Sequence, residues 1–346
     1  MAFTHKSLTL TDLPSAPPGK TGWPWTEKSQ PLPTHMPDGS EWPRISIVTP
    51  SYNQDRFIEE TIRSVLLQGY PNLEYIIIDG GSTDNSIEII KKYEKYLTYW
   101  ISERDRGQSH AINKGLRCIT GEIWAYLNSD DRYLKGAFEQ VALKFRKTPK
   151  TVWVTGYARY LDENGDPIED MIPIPVQDKK DALIRWESSK RYICIEVANF
   201  MHSNLLSKYG FYNESFHYCM DFDFNLRLFF NNINPVIIKS FLAEAHRHKE
   251  SKTTLSGREY HKYFREEDLI IIEKYMAYLN KNELKYVKNK LSKLRLWLSL
   301  TSIDKELSTV GKLSSIQKIS NILIMHPYYL LNRRTWGMIR RILMSN

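Results

Sequence analysis

Hydrophobic residues from position 45 onward alternate between two spacings. Short apolar runs are typical of buried strands, and the longer segments between them carry apolar residues at helical spacing. Strands are predicted at 45–49, 75–79, 99–102 and 123–127, and helices at 57–67, 87–97, 111–119 and around 138–145. Strands that alternate with helices in this way predict a parallel sheet with crossover helices.

The segments on either side of this region have different patterns. Residues 1–44 hold eight prolines and three tryptophans, which argues against regular helix or central strand and predicts an extension pinned by its tryptophans. After the alternating region, a hairpin is predicted at 152–161 with a turn at 163–167. We therefore divide the chain into the extension, an α/β domain (45–255) and a helical segment (256–346).

The formal net charge of +8 is unevenly distributed. Residues 277–346 hold thirteen Lys and Arg and three Asp and Glu, a net charge of +10, so the remainder of the chain is close to −2. Within this segment an apolar stripe repeats at three- and four-residue steps: Leu284, Val287, Leu291, Leu294 and Leu298. Three alternatives fit: a packed helix with solvated lysines, a helix pair in an oligomer, and a helix at an anionic membrane surface.

The last twenty residues combine aromatic and basic side chains, which suits a membrane surface that presents lipid-linked molecules. They are Tyr328, Tyr329, Arg333, Arg334, Trp336, Arg340 and Arg341. Peripheral membrane contact through the C-terminal segment is therefore a hypothesis. The three cysteines include no CxxC pair and no apolar run is long enough to span a bilayer, so we expect a cytoplasmic protein.

Polar residues cluster where the predicted strands end, at 49–53, 79–84 and 128–131. In open parallel sheets, ligands bind beyond the carboxyl ends of the strands. These segments supply an aromatic face, hydroxyls, glycines and a carboxylate pair, which are the groups needed to bind a nucleoside diphosphate with Mg²⁺ or Mn²⁺. The alternative is that such Asp residues serve only as turn residues and helix caps.

Two contiguous stretches carry a resemblance to a known family. ISIVTPSYNQDRFIEETIRSVLLQGYPNLEYIIIDGGSTDNS, from Ile45, and GEIWAYLNSDD, from Gly121, resemble the donor-binding half and the DxD-type metal motif of the family-2 glycosyltransferases. The resemblance covers about residues 45 to 255. It implies the GT-A fold, a Rossmann-like mixed sheet flanked by helices that binds nucleotide-diphospho-sugars, here with a C-terminal helical appendage.

The resemblance also implies roles for individual residues. The implied donor-binding residues are Thr49, Pro50, Ser51, Tyr52, Asp79, Asp105, Asn113, Asn128, Ser129 and Asp131, and the implied metal ligands are Asp130 and His248. Two positions depart from the family pattern: Gly80 stands where the family often has Asp, and Asn128 where the first Asp of the motif is usual. The Asn128 amide can still contact ribose or water.

A second acidic motif, CMDFDFNLR from Cys219, resembles the family segment that supplies the catalytic base, and Asp221 occupies the base position. Asp223 is interpreted as structural and paired with Arg227 four residues later. The alternative for both acids is a favourable position at a helix N-terminus. His248, in HRHKESKT from His246, is either a metal or diphosphate ligand or part of a solvated basic cluster.

The expected function is inverting transfer of a sugar from a nucleotide-sugar donor, a UDP-sugar above others, to a saccharide or lipid-linked acceptor in cell-surface polysaccharide or glycolipid synthesis. One alternative is a sugar nucleotidyltransferase, which would ordinarily show a glycine-rich loop where this chain has residues 50–55, a segment without glycine. The other is a non-catalytic module that binds nucleotide-sugars or nucleic acid. No nucleic-acid-binding motif is present, so we expect no nucleic-acid partner.

Overall fold

A computed structural model describes residues 7–148, 150–184, 194–252, 258–310 and 340 of the chain. The chain divides into two compact units. The first comprises Met1–Asp178 with Arg185–Thr254, and the second comprises Lys179–Ile184 with Leu255–Asn346.

In the described part of the first unit, nine strands form one mixed sheet. They are β1 (Ile45–Ser51), β2 (Leu73–Asp79), β3 (Tyr99–Ser102), β4 (Ile123–Tyr126), β5 (Asp131–Tyr133), β6 (Trp153–Leu161), β7 (Pro167–Met171), β8 (Asn199–His202) and β9 (Val236–His246). The order is β3-β2-β1-β4-β8-β6-β9-β5, with β7 beside β6. The first four strands are parallel, as their pattern predicts, whereas β8 runs antiparallel to both β4 and β6.

The described helices are α1 (Ile58–Leu66), α2 (Ser86–Tyr93), α3 (Gln108–Leu116), α4 (Ala137–Lys147), α5 (Lys179–Ile184), α6 (Asn204–Tyr209), α7 (Met220–Phe229), α8 (Arg258–Met276) and α9 (Lys281–Val310). The first four match the helices predicted between the strands, and α8 and α9 lie in the predicted helical segment, whereas α5 and α6 were not predicted. Helix α3 begins three residues before its predicted start, directly after Gly107, whose φ of 114° is accessible mainly to glycine. The β6–β7 pair forms the predicted hairpin.

Helix α3 packs closely on β1 and β2. A Cβ atom at Gly115 would lie 2.3 Å from Cγ1 of Val48 and 3.3 Å from Cγ1 of Ile78. Only glycine permits this approach without displacing the sheet residues. The close packing holds the N-terminal end of α3 near the strand ends that carry the candidate site.

The extension, described over residues 7–44, contains no helix or strand. The Trp23 indole donates a hydrogen bond to the carbonyl of Tyr133 (2.8 Å), so the prediction of a tryptophan-pinned extension is confirmed. Sequence reasoning missed Arg63 of α1, which is buried and donates to three backbone carbonyls of the extension: those of Pro14, Pro24 and Trp25.

In the second unit, α8 and α9 pack together. Four residues of the predicted stripe are buried: Val287, Leu291, Leu294 and Leu298. Lys281, Lys285 and Lys288 are exposed. The described part of α9 therefore matches the alternative of a packed helix with solvated lysines.

The aromatic and basic cluster of the last twenty residues lies outside the described residues, apart from Arg340, which is exposed. Within the described residues, no helix is both long enough and apolar enough to cross a bilayer.

Candidate functional site

The carboxylate of Asp79, at the end of β2, is completely buried and bonded to protein groups. Its Oδ1 accepts hydrogen bonds from the amides of Gly81 (3.0 Å) and Ser82 (2.9 Å) and from the Ser102 hydroxyl (2.6 Å). Its Oδ2 accepts from the Ser82 hydroxyl (2.5 Å). The structure thus shows Asp79 shaping the loop after β2, and its expected contact with the base or ribose stays a prediction.

Beside this loop, Gly80 lies between an aromatic ring and a carboxylate. A Cβ atom at Gly80 would be 2.6 Å from Oδ2 of Asp105 and 3.4 Å from Cδ2 of Tyr52. The Asp105 side chain is held in place because its Oδ1 accepts a hydrogen bond from the Gly107 amide (2.8 Å). Tyr52 is 59% exposed. The absence of a side chain at position 80 allows Asp105 and Tyr52 to approach the backbone this closely.

The three residues before Tyr52 are all buried, but their side chains differ in hydrogen bonding. Thr49 is completely buried, and its hydroxyl pairs with that of Tyr75 (3.1 Å) inside the sheet. Pro50 is also buried. Ser51 is 4% exposed, and among the described residues no group is hydrogen-bonded to its Oγ. A ligand could supply that missing partner, since buried hydroxyls are normally bonded.

Asn113 lies in α3 and is 1% exposed. Its amide nitrogen donates to the carbonyl of Tyr212 (2.9 Å) and to Glu214 (3.1 Å), and its oxygen accepts from the Tyr212 amide (3.0 Å). The structure therefore places Asn113 as the link between α3 and the segment that leads to α7. Its predicted contact with the donor is not tested by these bonds.

Asn128 follows β4 and makes three side-chain hydrogen bonds. Its Nδ2 donates to Asp131 Oδ2 (3.3 Å) and Glu196 Oε1 (3.4 Å), and its Oδ1 accepts from Gln108 Nε2 (2.6 Å). Ser129, the next residue, is buried, and its carbonyl accepts a hydrogen bond from Thr61. These bonds tie the end of β4 to α1, α3 and the turn at Glu196.

The two predicted metal ligands are in direct contact. Asp130 Oδ2 lies 3.0 Å from Nε2 of His248, and this hydrogen bond raises the pKa of the imidazole above its usual value. The other ring nitrogen, Nδ1, lies 3.0 Å from the Glu250 carboxylate. The Phe57 ring stacks on the imidazole with a centroid distance of 4.5 Å. His248, which is 1% exposed, is thus fixed on three sides.

Strand pairing explains why these ligands meet. Strand β5 pairs with β9 so that Asp131 is opposite Ala245, which brings the residues before β5 next to those after β9. Arg132 stabilises this pairing by contacting Glu244 of β9 (2.7 Å) and Glu60 of α1. His246 adds a hydrogen bond between its Nδ1 and the carbonyl of Asp130 (2.8 Å).

The Asp130 carboxylate is of the type that binds divalent cations, whereas both ring nitrogens of His248 already face carboxylates, those of Asp130 and Glu250. Carboxylate oxygen is the ligand that Mg²⁺ and Mn²⁺ prefer, and such ions are usually held by one or two carboxylates with substrate phosphates. Among the described residues, no group of three or more His, Cys, Asp and Glu could hold a metal ion by itself. A metal bound at Asp130 would therefore need oxygens from a substrate to complete its coordination shell.

Glu196, in a short 3-10 turn before β8, is a site residue that sequence reasoning missed. Burial, followed by the charge of Asp221, raises its pKa to about 8, and Asp130 also acts on it. Burial and the charges of Asp130 and Glu196 likewise raise the pKa of Asp131. The Tyr126 hydroxyl bonds to the Glu196 carboxylate. No periodicity or motif marks Glu196 in the sequence.

Asp221 lies in the first turn of α7, close enough to Glu196 for its charge to act on that carboxylate. Burial and then the charge of Asp221 raise the pKa of Tyr212, and burial, Glu196 and Asp221 raise that of Tyr126. Asp221, Asp130 and Asp131 therefore converge on Glu196. Asp223 is completely buried and pairs with Arg227 (2.8 Å), which confirms its structural interpretation.

Lys252 brings a positive charge to this pocket. Its Nζ donates to Gln108 Oε1 (2.7 Å) and to the carbonyl of His217 (3.0 Å). Lys252 also acts on Glu196, whose pKa it lowers against the effect of burial. Neither Lys252 nor Gln108 was predicted as a site residue.

Known proteins resemble this chain in sequence. The model of glycosyl transferase family 2 matches residues 46–210. TuaG of Bacillus subtilis, whose name places it in teichuronic acid biosynthesis, is 35% identical over 138 residues, which are 38% of this chain and 54% of TuaG. The matched part thus spans about half of TuaG. The uncharacterized glycosyltransferase Rv1514c of Mycobacterium tuberculosis is 30% identical over 208 residues, 58% of this chain and 74% of that protein.

Solved structures show the same fold. Residues 1–349 of TarS from S. aureus, in complex with UDP-GlcNAc, superpose with a TM-score of 0.55 at 16% identity over 85% of this chain and 83% of that chain. The mannosyltransferase PcManGT of Pyrobaculum calidifontis, in complex with GDP-Man and Mn²⁺, gives a TM-score of 0.51 at 18% identity, covering 93% and 88%. With its mixed sheet and its match to these relatives, the chain belongs to glycosyl transferase family 2 and has the GT-A fold.

Proposed function

We propose that this protein transfers a sugar from a nucleotide-diphosphate donor to an acceptor hydroxyl, with inversion at the anomeric carbon and with Asp221 as the base. The observation that supports this most is that Asp221 of α7 and Asp130 after β4 both act on the Glu196 carboxylate. The action of both charges on one carboxylate supports a shared site for the proposed base and the proposed metal ligand. Family membership favours transfer over the nucleotidyltransferase and binding-module alternatives.

The proposed donor is a UDP-sugar bound with Mg²⁺ or Mn²⁺. The exposed Tyr52 ring and the Asp105 carboxylate take the base and ribose, and the unbonded Ser51 hydroxyl lies at the end of the adjoining strand. TarS with UDP-GlcNAc supports uridine, and PcManGT with GDP-Man and Mn²⁺ supports a metal and keeps guanosine as the competitor.

In the proposed reaction, the acceptor oxygen attacks the anomeric carbon and forms a new C–O bond while the bond to the diphosphate oxygen breaks. Asp221 accepts the proton of the acceptor hydroxyl. Asp130 and His248 hold the divalent metal, which when bound neutralises charge on the diphosphate as a Lewis acid. Lys252, whose charge acts on Glu196, would add positive charge for the diphosphate. Because the diphosphate leaves readily, a second carboxylate acting as general acid is not required.

The proposed acceptor is a saccharide or lipid-linked saccharide used in cell-surface polysaccharide or glycolipid synthesis, and the name of TuaG supports this class. Such acceptors are assembled at membranes, so we propose a cytoplasmic enzyme that binds the membrane surface through residues 277–346. Flotation with anionic liposomes should be lost when these residues are deleted, and unchanged flotation would remove the membrane proposal.

Thermal unfolding with UDP-, GDP- and TDP-sugars, with and without Mn²⁺, tests the donor and metal together. A ligand present at a hundredfold its Kd adds about 2.7 kcal/mol of stability. We expect the UDP-sugars to stabilise the protein only with Mn²⁺, and Asp130→Ala to lose that dependence. Stabilisation that is indifferent to the metal and to Asp130 would contradict the metal assignment, and no stabilisation by any nucleotide-sugar would contradict the function.

A further inference from the structure

Four side chains of the candidate site form a chain of hydrogen bonds in which each residue donates to the next. Lys252 Nζ donates to Gln108 Oε1 (2.7 Å), and Gln108 Nε2 donates to Asn128 Oδ1 (2.6 Å). Asn128 Nδ2 then donates to Glu196 Oε1 (3.4 Å), and the Glu196 carboxylate also bonds to the Tyr126 hydroxyl. The chain starts at an ammonium group and ends at a carboxylate, with two amides between them.

The direction of this chain is fixed by its ammonium end. An ammonium group can only donate, so Gln108 accepts through Oε1 and donates through Nε2, and Asn128 accepts through Oδ1 and donates through Nδ2. Bonds arranged head to tail strengthen one another in a low-dielectric environment. The Asn128 side chain is therefore held between Gln108, which donates to it, and Glu196, which accepts from it.

The chain joins four parts of the fold that carry the proposed chemistry. Glu196 belongs to the turn before β8, which pairs with β4, and Asn128 follows β4 two residues before Asp130. Gln108 begins α3, and Lys252 follows His248 in the segment after β9. Fixing the Asn128 amide between these parts fixes the backbone that presents Asp130 to His248.

Position 128 also has an electrostatic requirement. The Asn128 Nδ2 group is shared between the carboxylates of Asp131 (3.3 Å) and Glu196 (3.4 Å). A carboxylate at this position would face two others at hydrogen-bond distance and could donate to neither when ionised. The bond that Gln108 donates to the side-chain oxygen at position 128 would survive, so the disturbance would be confined to the Glu196 side.

We propose that Glu196 is a positioning residue of the transfer reaction, which acts through the Asn128 amide to set Asp130 at the metal and diphosphate site. This inference rests on the proposed function. Glu196 makes no proposed contact with the reacting atoms, and its effect depends on the bond to Asn128. Its removal should therefore be coupled to changes at position 128 and not to changes elsewhere on the surface.

The test is a double-mutant cycle between Asn128→Asp and Glu196→Gln, read by calorimetry of UDP and, separately, GDP in the presence of Mn²⁺, and by thermal unfolding without either ligand. Asn128→Asp should weaken metal-dependent binding, and Glu196→Gln, which keeps an oxygen acceptor for Asn128, should weaken it less. In the double variant the new amide at position 196 can donate to the new carboxylate at position 128, so binding should recover. We expect a coupling between the two sites of roughly 2- to 150-fold in affinity, the range found for residues in one network.

Asn85→Asp is the matched control, because the exposed Asn85 amide also donates to a carboxylate, Asp55 (3.1 Å). It should leave binding unchanged and show no coupling to Glu196→Gln. Additive effects of Asn128→Asp and Glu196→Gln would overturn the inference.

A second pair keeps the inference testable if Asn128→Asp does not fold. Glu196→Gln preserves an acceptor for Asn128 and Tyr126, whereas Glu196→Ala removes it. We expect Glu196→Gln to bind UDP with Mn²⁺ several-fold more tightly than Glu196→Ala, and equal affinities would overturn the positioning role. If the wild-type protein binds neither nucleotide in a metal-dependent way, the proposed function fails first, so the two failures are distinguishable.

Discussion

The loop after β2 and the pocket around Glu196 both bury carboxylates but differ in how these are balanced. Asp79 is a single carboxylate whose two oxygens accept four hydrogen bonds from Gly81, Ser82 and Ser102. The pocket instead gathers four carboxylates around a few donors: Asp130, Asp131, Glu196 and Asp221. The Asp79 carboxylate is thus fully hydrogen-bonded, whereas the carboxylates around Glu196 outnumber their donors.

This difference indicates different roles. Donors from the protein already satisfy Asp79, so it maintains the loop whether or not a ligand is bound. In the pocket, burial and mutual repulsion raise the pKa of Glu196 to about 8 and that of Asp131 well above its usual value. A site that holds too much negative charge favours a cation, and the excess is therefore where we expect the metal and the proton transfer.

The largest effect is expected for Asp221→Asn in the pocket. The change removes the proposed proton acceptor, so we expect the turnover number to fall by about 10²- to 10⁴-fold. Affinity for the nucleotide with Mn²⁺ should change little, because Asp221 is not a proposed ligand of the metal or the donor. Release of nucleoside diphosphate during transfer and calorimetry of nucleotide binding measure the two quantities.

Asp223→Asn is the control on the same helix. Asp223 is buried and paired with Arg227, so its loss should lower the melting temperature while the turnover of the folded protein is retained. Equal loss of turnover in both variants would show that α7 tolerates no change, and it would remove the specific role of Asp221.

The next largest effect is expected at Asp130, the proposed metal ligand. Asp130→Ala removes the carboxylate that contacts His248, and we expect the Mn²⁺-dependent part of nucleotide affinity to fall by at least about tenfold, the lower end of the range for disturbed metal sites. Affinity measured without metal should be unchanged. A variant that retained full Mn²⁺ dependence would place the metal elsewhere.

Much of the loop region was predictable from the sequence, and less of the pocket was. The runs at β1 and β2 and the turn at Asp79 are local signals, because a buried strand followed by Gly and Ser marks both the strand and its end. Asp130 and Asp221 were found because each stands at the matching position of a short family motif. These residues depend on short stretches of chain that carry their own pattern.

The remaining pocket residues depend on long-range pairing, which no local pattern encodes. Glu196 reaches the site because β8 pairs with β4, and His248 reaches Asp130 because β9 pairs with β5. The need for glycine at position 80 arises from the approach of Asp105, which belongs to a different loop. Arg63 was likewise unpredictable, since its partners are carbonyls of the extension.

For the loop, we predict an effect on stability. Asp79→Asn replaces an acceptor by an amide nitrogen that would face a hydroxyl or backbone donor, and hydrogen bonds to charged groups contribute about 1.5–3 kcal/mol each. We expect a loss of roughly 2–3 kcal/mol in unfolding free energy, measured by urea denaturation. Ser102→Ala, which removes one of the four bonds, should cost about 1 kcal/mol. A larger loss for Ser102→Ala than for Asp79→Asn would contradict the role of Asp79.

The smallest expected effect concerns Gly80, where the two regions adjoin the proposed base site. The added methyl of Gly80→Ala would lie 2.6 Å from Asp105 Oδ2, so Asp105 must rotate and weaken its bond to the Gly107 amide. We expect nucleotide affinity to fall several-fold while Mn²⁺ dependence is retained. If the effect acts through Asp105, then Gly80→Ala added to Asp105→Ala should cost little more, because contacting residues are not additive. Full additivity would show that the added methyl obstructs the nucleotide directly. The nucleotide would then contact the protein at position 80 itself, beside Tyr52.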